Sequence, residues 1–249
     1  MLPLDILRPV TGDTIRPGGL ALTERALAVC GLPAGARALD LGCGMGGTLE
    51  QLAAGHRLAA VGCDLSARWL REGRRRMPTL PLVQASAECL PIPDESADVI
   101  LAECTLSVTG KQEQVLAECR RVLRGGGFLI VSDLYARNPT GDPAIRQAAR
   151  GDCLGGLCSQ AQVVETLKAE GFRMVLWEDH SAELKHLAVQ LILTYGSLEP
   201  FWRSASAGFA SADIQKMVAR SRPGYFLLVA RKRNQKSMIG GKASVYADA

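Results

Sequence analysis

The sequence predicts an α/β chain, an open sheet with helices on both faces, and three observations carry that prediction. An apolar run, Ala38-Leu39, reaches an acid at Asp40 and passes into the glycine turn Leu41-Gly42-Cys43-Gly44-Met45-Gly46-Gly47, after which a helical pattern opens at Thr48. Strand-like segments at 58–63, within 82–91 (a strand and its loop), in a fourth run ending near 102–104, and at 128–133 alternate with helical patterns, which is how a sheet with crossover helices is written in sequence. A second acid, Asp64, closes the second strand 22 residues after Gly42. In such sheets ligands bind beyond the carboxyl ends of the strands.

Residues 1–17 contain Pro3, Pro9 and Pro17 and show no clear period. A helix follows from Leu20 to Cys30, ended by Gly31 and Pro33. The strand at 38–41 leads through the glycine turn to a short helix, Thr48 to Ala54, and a second strand, Leu58 to Cys63. Ser66 is placed to cap the next helix, which carries Arg68, Arg71, Arg74, Arg75 and Arg76 and is read as a solvated basic face. Leu82 begins the third strand, and Pro93-Asp94-Glu95-Ser96 turns into a fourth that ends near Ala102-Glu103-Cys104. Val115, Leu116, Cys119, Val122 and Leu123 recur at helical spacing within Gln112 to Arg124, and Gly125-Gly126-Gly127 is read as the stop. The fifth strand runs Phe128 to Asp133 and the sixth Phe172 to Glu178. The last runs Tyr225 to Arg231, with helices at 160–170 and 182–195. Residues 232–249 are polar, small and aperiodic, and a disordered tail is expected, its Lys232, Arg233 and Lys236 solvated.

The composition suits one large α/β domain: 249 residues, 47% hydrophobic and 22% charged. A net charge of +4 does not by itself imply nucleic acid, and none is expected as a partner. No apolar run reaches the ~18 residues of a membrane span. The N-terminus has no signal-peptide pattern, so a cytoplasmic protein is expected. None of the eight cysteines forms a C-x-x-C pair, so free thiols and no metal site are expected.

Gly42, Gly44 and Gly47 satisfy G-x-G-x-x-G, the pattern of a dinucleotide turn. An anion at Asp40, two residues before the first glycine, would repel a pyrophosphate and instead suits a cationic amine. Leu39-Asp40-Leu41-Gly42-Cys43-Gly44-Met45-Gly46 resembles motif I of the class I S-adenosylmethionine (SAM) methyltransferases. Arg121-Val122-Leu123-Arg124-Gly125-Gly126-Gly127 resembles that family's R-V-L-K-P-G-G, with glycine in place of proline. The resemblance spans residues 38–133, and within the family it is nearest the ubiquinone/menaquinone-methyltransferase-like group, methyltransferase type 11. It implies a Rossmann-like seven-stranded sheet, mostly parallel with an antiparallel last strand. It implies SAM as cofactor and a small-molecule acceptor. Residues 1–37 are then a cap over the cofactor site, 38–133 the SAM-binding core, and 134–231 the rest of the sheet. About 45 residues separate the last two strands and are read as part of a substrate lid.

On that resemblance the turn at Gly42, Cys43, Gly44 and Gly46 packs on the methionine part of the cofactor, and Asp40 faces its amino group. Asp64, with Leu65 beside it, takes the ribose diol, for which a carboxylate is the fitting acceptor. Ser86, Ala87 and Glu88 border adenine, Ser86 standing where the family often has an acid. Glu103 borders the methyl group. Arg16 either meets the cofactor carboxylate or a substrate anion, or is a solvated arginine at a turn. A general base, needed only for a weak or protonated nucleophile, is sought in Asp133, Tyr135 and His180 at expected strand ends. Cys104, Cys153 and Cys158 are assigned to the substrate pocket. Cys153 and Cys158, in a glycine-rich segment, also resemble the cysteine-bearing segment of arsenite methyltransferases, which keeps a thiol-dependent metalloid activity open as an alternative. A SAM-binding regulatory module without turnover is a third.

Overall fold

The structure is a computed structural model that describes residues 4–138, 157–205 and 218–234. Its centre is a seven-stranded sheet in the order β3-β2-β1-β4-β5-β7-β6. The strands are β1 (Arg37–Leu41), β2 (Ala59–Asp64), β3 (Leu82–Gln84), β4 (Ala97–Glu103), β5 (Leu123–Ala136), β6 (Phe172–Asp179) and β7 (Pro223–Lys232). β1 to β5 pair in parallel, and β7 inserts antiparallel between β5 and β6. This is the expected seven-stranded, mostly parallel sheet with an antiparallel last strand.

The helices are α1 (Leu4–Thr11), α2 (Gly19–Cys30), α3 (Gly47–Glu50), α4 (Ala67–Arg76), α5 (Leu106–Thr109), α6 (Gln112–Val122), α7 (Gln160–Ala169), α8 (Ser181–Tyr195) and α9 (Glu199–Ala205). α3 runs on as one π-helical turn, Gln51–Gly55. The central strands are buried on both faces, as parallel strands under crossover helices must be. In β4, Ile100 and Ala102 pack with Val115, Leu116, Cys119 and Val122 of α6. Val99 and Leu101 point to the other face, with Ala26 and Leu27 of α2 and Leu49 and Leu52 after the glycine turn.

Four readings of the sequence change. α1 forms although Pro9 lies inside it. Proline removes a single N–H, and the helix is held from outside, by burial of Leu7 and by the Tyr195 hydroxyl of α8, which donates to the Ile6 carbonyl at 3.0 Å. α6 stops at Val122 rather than Arg124, because Leu123 already pairs with Ala97 as the start of β5. Gly125 to Gly127 lie within that strand, at a register shift opposite Ala97 and Val99. The face of α4 is not simply solvated: Arg74 donates to the Leu82 carbonyl at 2.7 Å, and Arg76 reaches the Met45 carbonyl, Asp13 and Glu50. Lys232, placed in the solvated tail by sequence, is the buried last residue of β7 and donates to the Leu123 carbonyl at 2.6 Å. Residues 235–249 lie outside the described residues.

Candidate active site

A cavity of about 450 Å³ opens at the carboxyl ends of β1, β2 and β4. The strand order reverses between β1 and β4, the switch point where an open sheet leaves a crevice. The walls are Asp40 to Met45, Cys63 to Ser66 with Trp69, Ala85 to Glu88, and Glu103 to Thr105. Asp13 to Arg16 close it from the N-terminal side.

The glycine turn is built by its neighbours. Gly42 and Cys43 both donate backbone N–H to the Cys63 carbonyl, at 2.7 and 3.0 Å, which ties the turn to the end of β2. Gly42, Gly44 and Gly46 all have positive φ, the region that disfavours a Cβ. Asp64 braces the turn from the other side: one carboxylate oxygen accepts from Gly44 N at 2.9 Å and the other from Ser66 N at 2.8 Å. Ser66 Oγ then caps α4 by accepting from Trp69 N. Gly46 differs from the others, since its missing Cβ faces Leu80 and Leu49 in the core and it does not line the cavity.

Arg16 is not solvated. It is 7% exposed, and its Nη2 lies 2.9 Å from Glu103 Oε2 and 2.7 Å from Thr23 Oγ1, with Nη1 3.1 Å from Thr48 Oγ1. Thr23 and Thr48 in turn donate to the two Glu103 oxygens at 2.8 and 3.2 Å. Four side chains from four parts of the chain thus close one buried ring. Burial is the largest single influence and works against the Arg16 charge, but Glu103 together with Tyr225, Asp40 and Cys104 outweighs it and the guanidinium stays protonated. Its Nε is buried without a hydrogen-bond partner in the structure. A donor left aimed at nothing fits an anionic ligand group, since leaving it unmet costs about 1–3 kcal/mol.

Asp40 is 3% exposed beside the cavity. Burial, then the charge of Glu103, lift its carboxyl to about 8 against the opposing pull of Arg16. Cys104 follows β4 at φ +52° and packs its thiol 3.2 Å from the Tyr225 hydroxyl, which also bonds Ser132 Oγ at 3.2 Å. Burial, then Asp133, raise the Cys104 thiol to about 12, so it is no thiolate near neutral pH. Burial raises Cys43 further still.

Eleven of the twelve residues expected to hold the cofactor line this one cavity: Arg16, Asp40, Gly42, Cys43, Gly44, Asp64, Leu65, Ser86, Ala87, Glu88 and Glu103. Cys104, expected in the substrate pocket, joins them. The three expected bases do not. Asp133 accepts from Ser107 N, Ser107 Oγ and Leu134 N at 2.9, 2.6 and 2.7 Å, so it anchors the start of α5. The Tyr135 hydroxyl donates to Asp179 at 2.7 Å, its ring edge-on to Trp177, and His180 pairs with Glu178 at 3.1 Å. All three side chains lie outside the cavity walls. Cys158 sits beside a second, much smaller cavity, 3.4 Å from Gln112 Oε1, and Cys153 lies outside the described residues. Among the described residues no group of His, Cys, Asp and Glu is arranged to hold a metal ion.

Sequence reasoning missed Thr23, Thr48, Trp69, Thr105 and Tyr225. Thr48 carried a signal, standing at the start of the helix that the glycine turn opens. Thr23 and Tyr225 carried none, because folding alone brings them to residues 80 and 121 positions away.

The family pattern described as a methyltransferase domain matches residues 39–131. Those residues resemble a methyltransferase domain. Among curated proteins, the domain is 32% identical over 120 residues to phosphatidylethanolamine N-methyltransferase of Cereibacter sphaeroides, covering 46% of this chain and 58% of that one. It is 35% identical over 125 residues to demethylmenaquinone methyltransferase of Beutenbergia cavernae, covering 50% and 52%. The chain therefore spans about half the length of these relatives. Among solved structures, the [4+2]-cyclase SpnF shares the fold at a TM-score of 0.72 and 24% identity, covering 93% of both chains. Phosphoethanolamine N-methyltransferase 2 of Haemonchus contortus, solved with S-adenosyl-L-methionine, shares it at 0.73 and 19% identity, covering 93% of this chain and 57% of that one. A cyclase on the same frame shows that the fold alone does not set the reaction. No helix among the described residues is long and apolar enough to cross a membrane.

Proposed function

We propose that this protein transfers a methyl group from SAM to a small-molecule acceptor. The observation that carries the reading is the single cavity at the sheet's switch point, where a glycine turn lies between two acids, Asp40 and Asp64, and faces a buried arginine with a free donor. The amino-acid end of SAM carries an ammonium and a carboxylate, which suit Asp40 and Arg16 Nε. Asp64 suits the ribose diol, and Leu65 with Ser86 to Glu88 suits the adenine edge. When bound, the cofactor supplies a sulfonium that activates the methyl group. The protein's part is to align the acceptor with it and keep water out. The segment before residue 38 acts as cap, since Asp13 to Arg16 wall the cavity, residues 38–133 form the core, and residues 134–231 complete the sheet and supply the acceptor side.

The relatives' names point to lipid, quinone and other small-molecule acceptors, which supports the small-molecule reading without choosing among them. Thiol-dependent metalloid methylation needs converging thiolates, and the raised Cys43 and Cys104 thiols work against that. Calorimetric titration with S-adenosylhomocysteine (SAH) tests the proposal. One-to-one micromolar binding, weakened in Asp64→Ala, supports it, and absence of binding by the wild type refutes it.

A further inference from the structure

Gly42 has φ +75°, which alone calls for glycine. The space its Cβ would fill is not open to a ligand, however. A Cβ there would lie 2.3 Å from Thr105 Oγ1, 3.0 Å from Thr105 Cγ2 and 3.2 Å from Thr105 Cβ. Thr105 therefore occupies the notch that the glycine leaves. Its hydroxyl donates to the Leu41 carbonyl at 2.9 Å and stands 3.1 Å from the Glu103 carbonyl. The residue is 9% exposed and lines the cavity. One residue thus ties the last carbonyl of β1 to the end of β4, across the point where the sheet reverses. The main chain around it is held on both sides: Cys104 N donates to the Ser132 carbonyl at 2.7 Å, and Asp133 holds Ser107 N.

We infer that Thr105 is a positioning residue for cofactor binding: it keys into Gly42, fixes the glycine turn against the end of β4, and so sets the spacing between Asp40 and Glu103 at the amino-acid end of the cavity. The inference rests on the methyltransferase reading of this cavity. A serine keeps the hydroxyl and loses only the methyl. A valine keeps the shape but leaves the Leu41 carbonyl without its donor and puts a methyl in the 2.3 Å notch where oxygen was. An added Cβ at Gly42 collides with Thr105, and removal of Oγ1 and Cγ2 relieves that collision.

The experiment is SAH titration by calorimetry on the full chain, with foldedness followed by circular dichroism. Thr105→Val weakens SAH by roughly tenfold, and Thr105→Ser recovers most of that loss. Affinity for 5′-methylthioadenosine, which lacks the amino-acid end, changes far less in Thr105→Val, a difference that general loosening of the fold would not produce. Gly42→Ala weakens SAH by roughly a hundredfold or more, and the Gly42→Ala/Thr105→Ala double variant binds at least about tenfold more tightly than Gly42→Ala alone. Equal SAH affinity in wild type and Thr105→Val overturns the inference while leaving the methyltransferase reading intact. So does a Thr105→Ser no better than Thr105→Val. Failure of the wild type to bind SAH overturns both. Should Gly42→Ala fail to fold, the serine–valine comparison decides alone.

Discussion

Asp40 offers the sharpest test, through pH. Its carboxyl sits at about 8 because burial and the neighbouring Glu103 charge oppose ionisation more than Arg16 favours it. At pH 7 only about one-eleventh of the protein then carries Asp40 as a carboxylate, and a ligand ammonium needs that form. Recruiting it costs about 1.4 kcal/mol at pH 7 and about 2.7 kcal/mol at pH 6, one factor of ten per pH unit. The SAH dissociation constant is therefore expected to fall about tenfold from pH 6 to pH 7 and to level off above pH 8. Calorimetry in two buffers of different ionisation enthalpy should register release of about 0.9 proton per ligand at pH 7. Stability runs the opposite way with pH. A carboxyl raised in the folded state lends its stability in full below the unfolded value near 4. That stability is lost as pH rises toward 8, so Asp40→Asn should melt higher than wild type at pH 8 and above. Asp40→Asn should also bind SAH with no pH slope. A flat affinity between pH 6 and pH 8 in the wild type, with no proton released, would refute the assignment of Asp40 to the ligand amine.

Asp64→Ala removes the acceptor for Gly44 N and Ser66 N along with the proposed ribose contact, and SAH binding should weaken by about 1–3 kcal/mol by calorimetry. Unchanged affinity in a folded variant would count against it. Gly44→Val puts a branched side chain at φ +55° with its Cβ 3.2 Å from the Trp69 ring, so the protein should fold but lose SAH binding. Normal binding would move the site away from the turn. Arg16→Met strands Glu103 in the interior and should cost about 3–5 kcal/mol in denaturant unfolding, part of it restored by adding Glu103→Gln. A variant as stable as wild type would mean that the ring around Arg16 contributes nothing.

What the sequence determined by itself was local: an apolar strand, an acid, a glycine turn and a helix start within ten residues, repeated as a strand ending in Asp64. Such signals survive in one dimension because the chemistry of a strand-to-helix turn uses adjacent residues. Asp40, Gly42, Gly44 and Asp64 were legible on that account, and the alternation of strands and helices carried the sheet with them. The helix at Leu4–Thr11 was not legible, because its support comes from α8, and the end of α6 was misplaced, because pairing with Ala97 outweighed the glycine run. Tertiary structure alone decided the rest of the site. It drew Arg16, Thr23, Thr48 and Glu103 into one buried ring from positions as much as 87 residues apart (103 less 16). It turned Asp133 and Tyr135 toward hydrogen-bond partners of their own and away from the cavity. A strand end shows where a side chain leaves the sheet, but the neighbours that claim that side chain are set by folding.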